Sequence, residues 1–247
     1  MTEFETFAAL HVPGDPLVLY NVWDPGSAKA AAAGGAAAIA TRSWSVAVAL
    51  GYADGEDMPL GVALDAAAKI AAATDLPTTV DFEAGYAIGP DVVADNAARL
   101  AATGAVGCNF EDQVIGGSGV HPVALQAERI AALRDAAGAG FFINARTDLF
   151  LQAPAAEHAG LIDAALERAR AYADAGASGF FVPGLGDRDS IARVCAESPL
   201  PVNIMWSPGR PSRGELAEAG VARISHGPGP YRAAMDASAE GMRRALA

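Results

Sequence analysis

Short apolar runs alternate with longer alanine-rich runs along the chain, and this alternation constrains the fold more than any other feature. Most of the short runs are apolar without interruption, which is typical of parallel strands buried on both faces. The predicted strands are residues 17–22, 36–41, 78–82, 106–111, 141–146, 179–183, 202–205 and 222–225. The predicted helices are residues 25–33, 64–73, 90–103, 122–137, 161–175, 188–197, 213–219 and 231–246.

Eight consecutive βα units indicate either a closed barrel or a doubly wound sheet. The length of 247 residues favours the barrel, which typically needs about 250. We therefore predict one α/β domain over residues 1–247, folded as a (β/α)8 TIM-type barrel. Residues 42–60 and 112–122 form connections that are longer than the others. Both follow strands, on the face where barrel enzymes carry their active sites.

The charge and the apolar pattern narrow the class of partner. The formal net charge is −12, so the basic footprint of a nucleic-acid or anionic-membrane binder is missing. No run approaches the roughly 20 apolar residues of a membrane span, and residues 1–10 lack the features of a signal peptide. Cys108 and Cys195 have no metal-ligand spacing and are interpreted as reduced core thiols. Together these features predict a cytoplasmic protein.

Carboxylates follow two consecutive predicted strands. Asp81 and Glu83 stand two residues apart at the end of the third strand, and Glu111 ends the fourth. Alternate strand residues share a face and neighbouring strands lie about 5 Å apart, so these carboxylates are expected to converge at the barrel mouth. Close carboxylates repel unless a proton or a cation neutralises them, and Mg²⁺ prefers oxygen ligands. Asp54, after the second strand, is a further candidate; the alternative for all four is a set of solvated acidic loops.

Other polar residues follow the strands. Arg146 ends the fifth strand, where a guanidinium suits bidentate capture of a substrate carboxylate. The alternative for Arg146 is an ion pair with Asp148 or with a barrel carboxylate. Backbone N–H groups of residues 41–45 are candidates to bind a carboxylate or an oxyanion. Asn203 is a candidate polar contact, and His121 is either a mobile acid/base group or simply an exposed side chain.

These motifs resemble those of the isocitrate lyase / phosphoenolpyruvate mutase superfamily. The resemblance runs from about Tyr20 to Tyr231, and its most specific parts are VDFEAGY (80–86), NFEDQV (109–114), NARTD (144–148) and RARAYADAGASGFFVPG (168–184). It implies a barrel that depends on Mg²⁺, with Mn²⁺ as a substitute, and that acts on small 2-oxo or 2-hydroxy acids. Reactions of this superfamily cleave or form C–C or P–C bonds beside an enolate of the pyruvate type.

The resemblance also implies roles for individual residues. Asp81, Glu83 and Glu111 would surround the metal, some of them through water, with Asp54 beside them. Arg146 would hold the substrate carboxylate, while Ser43 and Trp44 would contact the substrate largely through their backbone. Glu83 stands where the superfamily usually has Asp. We predict Arg146, Glu111 and His121 as the catalytic residues, and Ser43, Trp44, Arg146 and Asn203 as the substrate-binding residues.

The resemblance also bears on assembly. It implies a homodimer or homotetramer, since superfamily members often exchange a C-terminal helix between subunits. This chain stops soon after the eighth strand. A reduced or absent exchange is therefore expected.

The loop after the fourth strand departs from the superfamily pattern. Residues 114–121 contain neither lysine nor cysteine, whereas the lyases carry a Lys-Lys-Cys-Gly-His type segment there and the phosphonopyruvate enzymes carry lysine and asparagine. Decarboxylation needs a metal and carboxylate capture but less acid/base help. The leading hypothesis is a Mg²⁺-dependent carbon–carbon lyase or decarboxylase that acts on an oxaloacetate-like 2-oxo dicarboxylate through a metal-stabilised enolate. The alternatives are a phosphonopyruvate P–C hydrolase or mutase, and a catalytically silent 2-oxo acid binding protein.

Overall fold

Eight parallel strands form one sheet in the computed structural model, which describes residues 2–247. The strands are β1 (Leu17–Leu19), β2 (Ile39–Ala40), β3 (Thr78–Asp81), β4 (Gly107–Glu111), β5 (Phe142–Arg146), β6 (Gly179–Phe181), β7 (Val202–Met205) and β8 (Arg223–Ser225). Their order is β1-β8-β7-β6-β5-β4-β3-β2, and a parallel bridge between Val22 and Thr41 brings the two edge strands together. The predicted (β/α)8 barrel is confirmed.

Helices precede the first strand, occupy the connections between strands and follow the last strand. They are α1 (Glu3–Ala9), α2 (Pro25–Ala33), α3 (Ser43–Ala49), α4 (Leu60–Ala71), α5 (Pro90–Ala101), α6 (Val123–Ala137), α7 (Leu149–Gln152), α8 (Ile162–Asp174), α9 (Arg188–Glu197), α10 (Arg213–Glu218) and α11 (Gly229–Leu246), with a 3₁₀ helix at Ala155–Leu161. Helix α2 begins where predicted because Pro25 suits the first turn and the Asp24 carboxylate accepts a 2.6 Å hydrogen bond from the Ser27 N–H.

The connection after β2 contains a helix that the sequence pattern did not predict. It contains α3, whose residues Val46 and Ala47 are buried in one cluster with Met58 and Ile70. Valine has a modest helix propensity, but tertiary packing overrides propensity in a segment this short. The first turn of α3 therefore lies directly beside the end of β3.

Helix α1 closes the N-terminal end of the barrel. Phe7 is fully buried, and its ring meets the Phe142 ring edge-on at 5.2 Å. The His11 ring stacks on Phe142 at 4.3 Å, and its Nδ1 lies 2.9 Å from the Phe7 carbonyl. Side chains therefore fill this end of the barrel, and the strands terminate at the opposite end.

The closure by α1 predicts a pH dependence of stability. Burial, reinforced by repulsion from Arg223, lowers the pKa of His11 from 6.5 to about 3. The unfolded chain therefore binds this proton first as the pH falls below 6.5, and the folded state loses about 1.4 kcal/mol per pH unit between the two pKa values. Urea denaturation above and below pH 6.5 measures the effect. His11→Gln keeps a donor for the Phe7 carbonyl and should remove this slope; the same slope in both proteins would contradict the account.

The C-terminal helix extends well beyond the last strand. Helix α11 spans 18 residues, and Met235, Met242 and Leu246 are exposed along it. The structure describes one chain, so the predicted homodimer or homotetramer, and the reduced or absent helix exchange, stay predictions.

Two further observations concern the predicted compartment. Among residues 2–247, none of the helices combines the length and apolar character of a transmembrane span. Cys108 is buried and Cys195 partly buried, and both are free thiols. The cytoplasmic location itself stays a prediction.

Candidate active site

Asp81 ends β3 in a dense set of hydrogen-bond donors. Arg42 Nη1 lies 2.6 Å from Asp81 Oδ2, and the same oxygen accepts hydrogen bonds from the Ser43 N–H at 3.0 Å and the Ser43 hydroxyl at 2.8 Å. Burial opposes ionisation, but Arg42, Arg146 and Ser43 lower the pKa of Asp81 to about 2. Asp81 is therefore ionised at neutral pH. Its other oxygen, Oδ1, has only a 3.4 Å contact with Asn109 Nδ2, which leaves room for another ligand.

Glu83 reaches this region by a route that the sequence argument did not foresee. Strand β3 ends at Asp81, and Glu83 has a left-handed backbone with φ 51°. Strand alternation therefore does not explain where Glu83 lies, because Glu83 is beyond the end of the strand. Burial, and then the charge of Asp81, raise the pKa of Glu83 to about 7. Asp54, which is exposed, contributes to the same rise, so this carboxylate also lies within electrostatic reach of Glu83.

Arg146, at the end of β5, joins two buried carboxylates. Its Nε and Nη2 donate to the Asp148 carboxylate at 2.6 and 2.8 Å, and its Nη1 lies 2.5 Å from Glu111 Oε2. The ion pair that the sequence allowed as an alternative is therefore confirmed. A guanidinium carries five N–H donors, so three contacts leave two donors for another anion.

Burial and charge act in opposite directions on this group of three residues. Burial works against the charge of Arg146, but Glu111 and Asp148 raise its pKa above the ordinary value. Burial raises the pKa of Glu111 in spite of Arg146, and the negative charges of Asp148 and Asp81 add to the rise. One cation thus serves two carboxylates, and burial favours the protonated form of Glu111.

Arg42 and Arg146 supply positive charge beside Asp81, in addition to the charge that the predicted metal ion would bring. Within the described residues, 2–247, no three side chains of the His, Cys, Asp and Glu types form a group that could hold a metal ion. Mg²⁺ usually takes only one or two carboxylates and keeps several waters. The available Asp81 Oδ1 fits such a site, with Glu83 and Glu111 acting through water. The metal roles of Asp81, Glu83, Glu111 and Asp54 stay predictions.

The three other residues predicted to bind substrate, Ser43, Trp44 and Asn203, each contact neighbouring protein groups. Both donors of Ser43 face Asp81. The Trp44 ring meets the Tyr231 ring edge-on at 5.7 Å and lies under the Arg232 guanidinium at 5.0 Å. Asn203 is buried, and its Nδ2 lies 3.2 Å from the Ser225 hydroxyl. None of these contacts tests a substrate role, so those roles stay predictions.

His121 closes a short hairpin after β4. Gln113 and Val120 pair across the hairpin, and the His121 N–H donates to the Asp112 carbonyl at 2.7 Å. The residue is buried, so the interpretation as an exposed side chain is wrong. Burial, and then Arg129 and Arg168, lower the pKa of His121, which favours the neutral ring. Its acid/base role stays a prediction.

The mouth of the barrel is narrow. A cavity of ≈ 20 Å³ lies there, which is room for about one water molecule. Its lining includes Asn21, Arg42, Asp81, Arg146 and Met205. A larger groove of ≈ 820 Å³ lies beside β1, between α2 and α11. Among residues 2–247, Asp24 is the one carboxylate residue in its lining, and Arg42, Arg146, Asp81, Glu83 and Glu111 do not line it. Arg42, Asp81 and Arg146 therefore line the small cavity and not the large groove.

Comparison with known proteins assigns the family. A model of the family described as phosphoenolpyruvate phosphomutase matches residues 7–246. The chain belongs to this family. It is therefore a member of the isocitrate lyase / phosphoenolpyruvate mutase superfamily, as the sequence motifs indicated.

Three relatives illustrate the range of the family. The chain is 48% identical to a phosphonomutase-like protein from Burkholderia cenocepacia J2315, with a TM-score of 0.95 over 98% of each chain. It is 37% identical to Mycobacterium tuberculosis Rv1998c, an uncharacterized protein, over 96% of this chain and 88% of the other. It is 30% identical to an oxaloacetate decarboxylase from a Bradyrhizobium species, over 71% of this chain and 61% of that protein.

In this phosphoenolpyruvate phosphomutase family member, two residues of the mouth were not predicted as site residues. Arg42 pairs with Asp81 across 39 positions of sequence, a partnership that spacing alone does not reveal. Asn21 donates to the Thr41 carbonyl at 2.9 Å and accepts from the N–H groups of His226 and Gly227 at 2.9 and 2.8 Å. It thereby joins the ends of three strands, and its place after β1 was the only signal in the sequence.

Proposed function

We propose that this chain is a Mg²⁺-dependent carbon–carbon lyase or decarboxylase acting on a small 2-oxo dicarboxylate such as oxaloacetate. The observation that carries the proposal is the ionised Asp81 carboxylate at the barrel mouth, beside the guanidinium groups of Arg42 and Arg146. A 2-oxo dicarboxylate brings anionic oxygens, which suit the arginines, and a carbonyl oxygen, which suits a cation held by Asp81. The relative named oxaloacetate decarboxylase supports this substrate class.

The chemistry of the metal follows from its charge. When bound, Mg²⁺ or Mn²⁺ polarises the 2-oxo carbonyl and stabilises the enolate that remains as the neighbouring C–C bond breaks. Asp81 supplies the direct carboxylate ligand in this proposal, because its Oδ1 is the less occupied oxygen. Glu83 and Glu111 act through water, and Asp54 adds negative charge from the exposed side.

Arg146 orients the substrate. Asp148 and Glu111 hold its guanidinium from two directions, so the two remaining donors point in a fixed direction before the substrate arrives. Such preorganisation lowers the entropy lost on binding. Ser43, Trp44 and Asn203 complete the proposed set of substrate contacts. Trp44 contributes its backbone N–H, because it lies in the first turn of α3, where backbone amides lack helical partners.

Decarboxylation of oxaloacetate leaves an electron pair and needs one proton. The bond between C3 and the departing carboxylate breaks, the pair is delocalised into the enolate, and C3 is then protonated. Glu111 is the first candidate donor, because burial raises its pKa and a donor must hold its proton near the working pH. His121 is the second candidate, and its buried position requires the hairpin of residues 112–121 to move before the ring reaches a substrate.

The narrow mouth sets a condition on binding. Room for about one water does not accommodate a dicarboxylate. Substrate entry therefore requires side chains of the lining to rearrange. Arg42 lies on the α3 side of the mouth and is only partly buried, so it is the side chain that we propose to move.

A direct assay separates the candidate reactions. We expect Mg²⁺-dependent release of CO₂ from oxaloacetate or a related 2-oxo dicarboxylate, and loss of this turnover after chelation with EDTA. Reaction of phosphonopyruvate, with phosphate release by a hydrolase or isomerisation to a phosphate ester by a mutase, would instead indicate the P–C alternative. Tight oxalate binding without turnover of any of these compounds would indicate the silent binding protein. Either of the last two results would overturn the proposed decarboxylase.

A further inference from the structure

Three residues with strained backbones cluster beside Asp81. Among residues 2–247, the non-glycine residues with positive φ are Glu56 at 62°, Glu83 at 51° and Tyr86 at 58°. Residues with a Cβ rarely adopt this left-handed conformation, and they keep it only where the surroundings hold them in place. Two of these residues come from the connection after β3 and one from the connection after β2, so the strain spans two separate segments.

Hydrogen bonds join these residues into a closed set, which we name the glutamate clamp (Glu56, Glu83 and Tyr86). The Glu56 N–H donates to Glu83 Oε2 at 2.8 Å. In return, Glu56 Oε1 accepts a hydrogen bond from the Tyr86 N–H at 2.7 Å. The Tyr86 hydroxyl lies 3.4 Å from Glu83 Oε1. Both oxygens of Glu83 are therefore located by members of the clamp.

Helices on the other side hold the segment after β3. The buried Arg129 of α6 donates to the carbonyls of Ala84 and Ala87, the second at 2.9 Å. Asn96 of α5 donates to the Gly85 carbonyl at 3.0 Å. The segment is thus anchored from the helix side, and Glu56 fastens it from the side of the α3–α4 connection.

We propose that Glu56 is a positioning residue that aims the Glu83 carboxylate at the metal position beside Asp81. This inference rests on the proposed function, since it assumes that a divalent cation binds there. Glu56 is suited to the task because it contacts the turn at two places. Its backbone N–H donates to the Glu83 carboxylate, and its side chain accepts a hydrogen bond from the N–H of Tyr86. Its hydrogen bonds are to Glu83 and Tyr86, so in this proposal it acts through the direction of Glu83.

The test compares three variants by calorimetric titration of Mn²⁺ in the presence of oxalate. Glu56→Ala removes the acceptor for the Tyr86 N–H, and Mn²⁺ affinity should fall by about 10- to 100-fold, the usual effect of losing an outer support of a metal ligand. Glu56→Gln keeps a carbonyl oxygen at the same place and should bind as the wild type does. Asp57→Ala is the matched control, because Asp57 accepts a 2.9 Å hydrogen bond from Ala53 within the same connection and should leave affinity unchanged.

A second readout distinguishes positioning from simple loss of structure. Saturating Mn²⁺ should restore the kcat of Glu56→Ala, because the substrate contacts are intact. The inference is overturned if Glu56→Ala binds Mn²⁺ like the wild type, if Asp57→Ala loses as much affinity, or if saturating metal leaves kcat low. A wild-type protein that takes up no Mn²⁺ with oxalate would remove the proposed function and this inference together. Wild-type uptake that Glu56→Ala leaves unchanged would remove only the inference.

Discussion

Asp81→Asn is expected to lower kcat/KM for the 2-oxo dicarboxylate by about 10³-fold, which corresponds to about 4 kcal/mol of transition-state stabilisation. The substitution keeps the volume of the side chain and an acceptor for Ser43, but it removes the negative charge that would hold the cation. Steady-state assays at several Mg²⁺ concentrations measure the loss. Excess Mg²⁺ should not restore the rate, because the ligand itself is missing.

The matched control for this variant is Asp65→Asn. Asp65 is also paired with a cation, Lys69 at 2.6 Å, but on the exposed face of α4. We expect full activity from it, since exposed ion pairs contribute little. Circular dichroism of both variants verifies the fold. Wild-type rates in Asp81→Asn would exclude the barrel mouth as the reaction centre.

Arg146→Met should lower the free energy of unfolding by about 3–5 kcal/mol, the usual result of removing one member of a buried ion pair. Methionine occupies much of the space of the arginine stem, but it leaves the buried carboxylates of Glu111 and Asp148 without their shared cation. Urea denaturation at neutral pH measures the difference. The double variant Arg146→Met/Asp148→Asn should regain part of the loss, because one uncompensated charge is removed.

Arg193 provides a close comparison on the surface. Its guanidinium also joins two carboxylates, those of Asp163 at 2.5 Å and Glu197 at 2.8 Å, but it is exposed. Arg193→Met should therefore change stability little, since solvent screens both charges. Equal effects of the two substitutions would show that burial does not govern the Arg146 ion pairs.

The architecture was predictable because its signals are local. Helices α2 and α9 have the predicted bounds, and each has an aspartate cap just before it, Asp24 and Asp187. Helix α3 was missed because its short run with two valines has weak local signals and depends on burial against α4. The predicted strands at residues 17–22 and 36–41 are longer than the observed β1 and β2 for a similar reason. Pairing with neighbouring strands decides where a strand ends.

The sequence pattern located two acidic residues at strand ends but did not reveal the contacts that they make. Carboxylates at strand ends identified Asp81 and Glu111, and the short spacing to Asp148 made the ion pair of Arg146 a foreseeable alternative. The left-handed turn at Glu83 and the pairing of Arg42 with Asp81 depend on segments far apart in sequence. Local patterns do not encode such contacts, so the positive charge in the mouth was underestimated.

The central claim is that Asp81 holds a divalent cation at the barrel mouth, and electron paramagnetic resonance of Mn²⁺ in the presence of oxalate tests it most directly. The account predicts one bound Mn²⁺ per wild-type chain and no binding of comparable affinity by Asp81→Asn. Absence of bound Mn²⁺ in the wild type, or equal binding by both proteins, would contradict it.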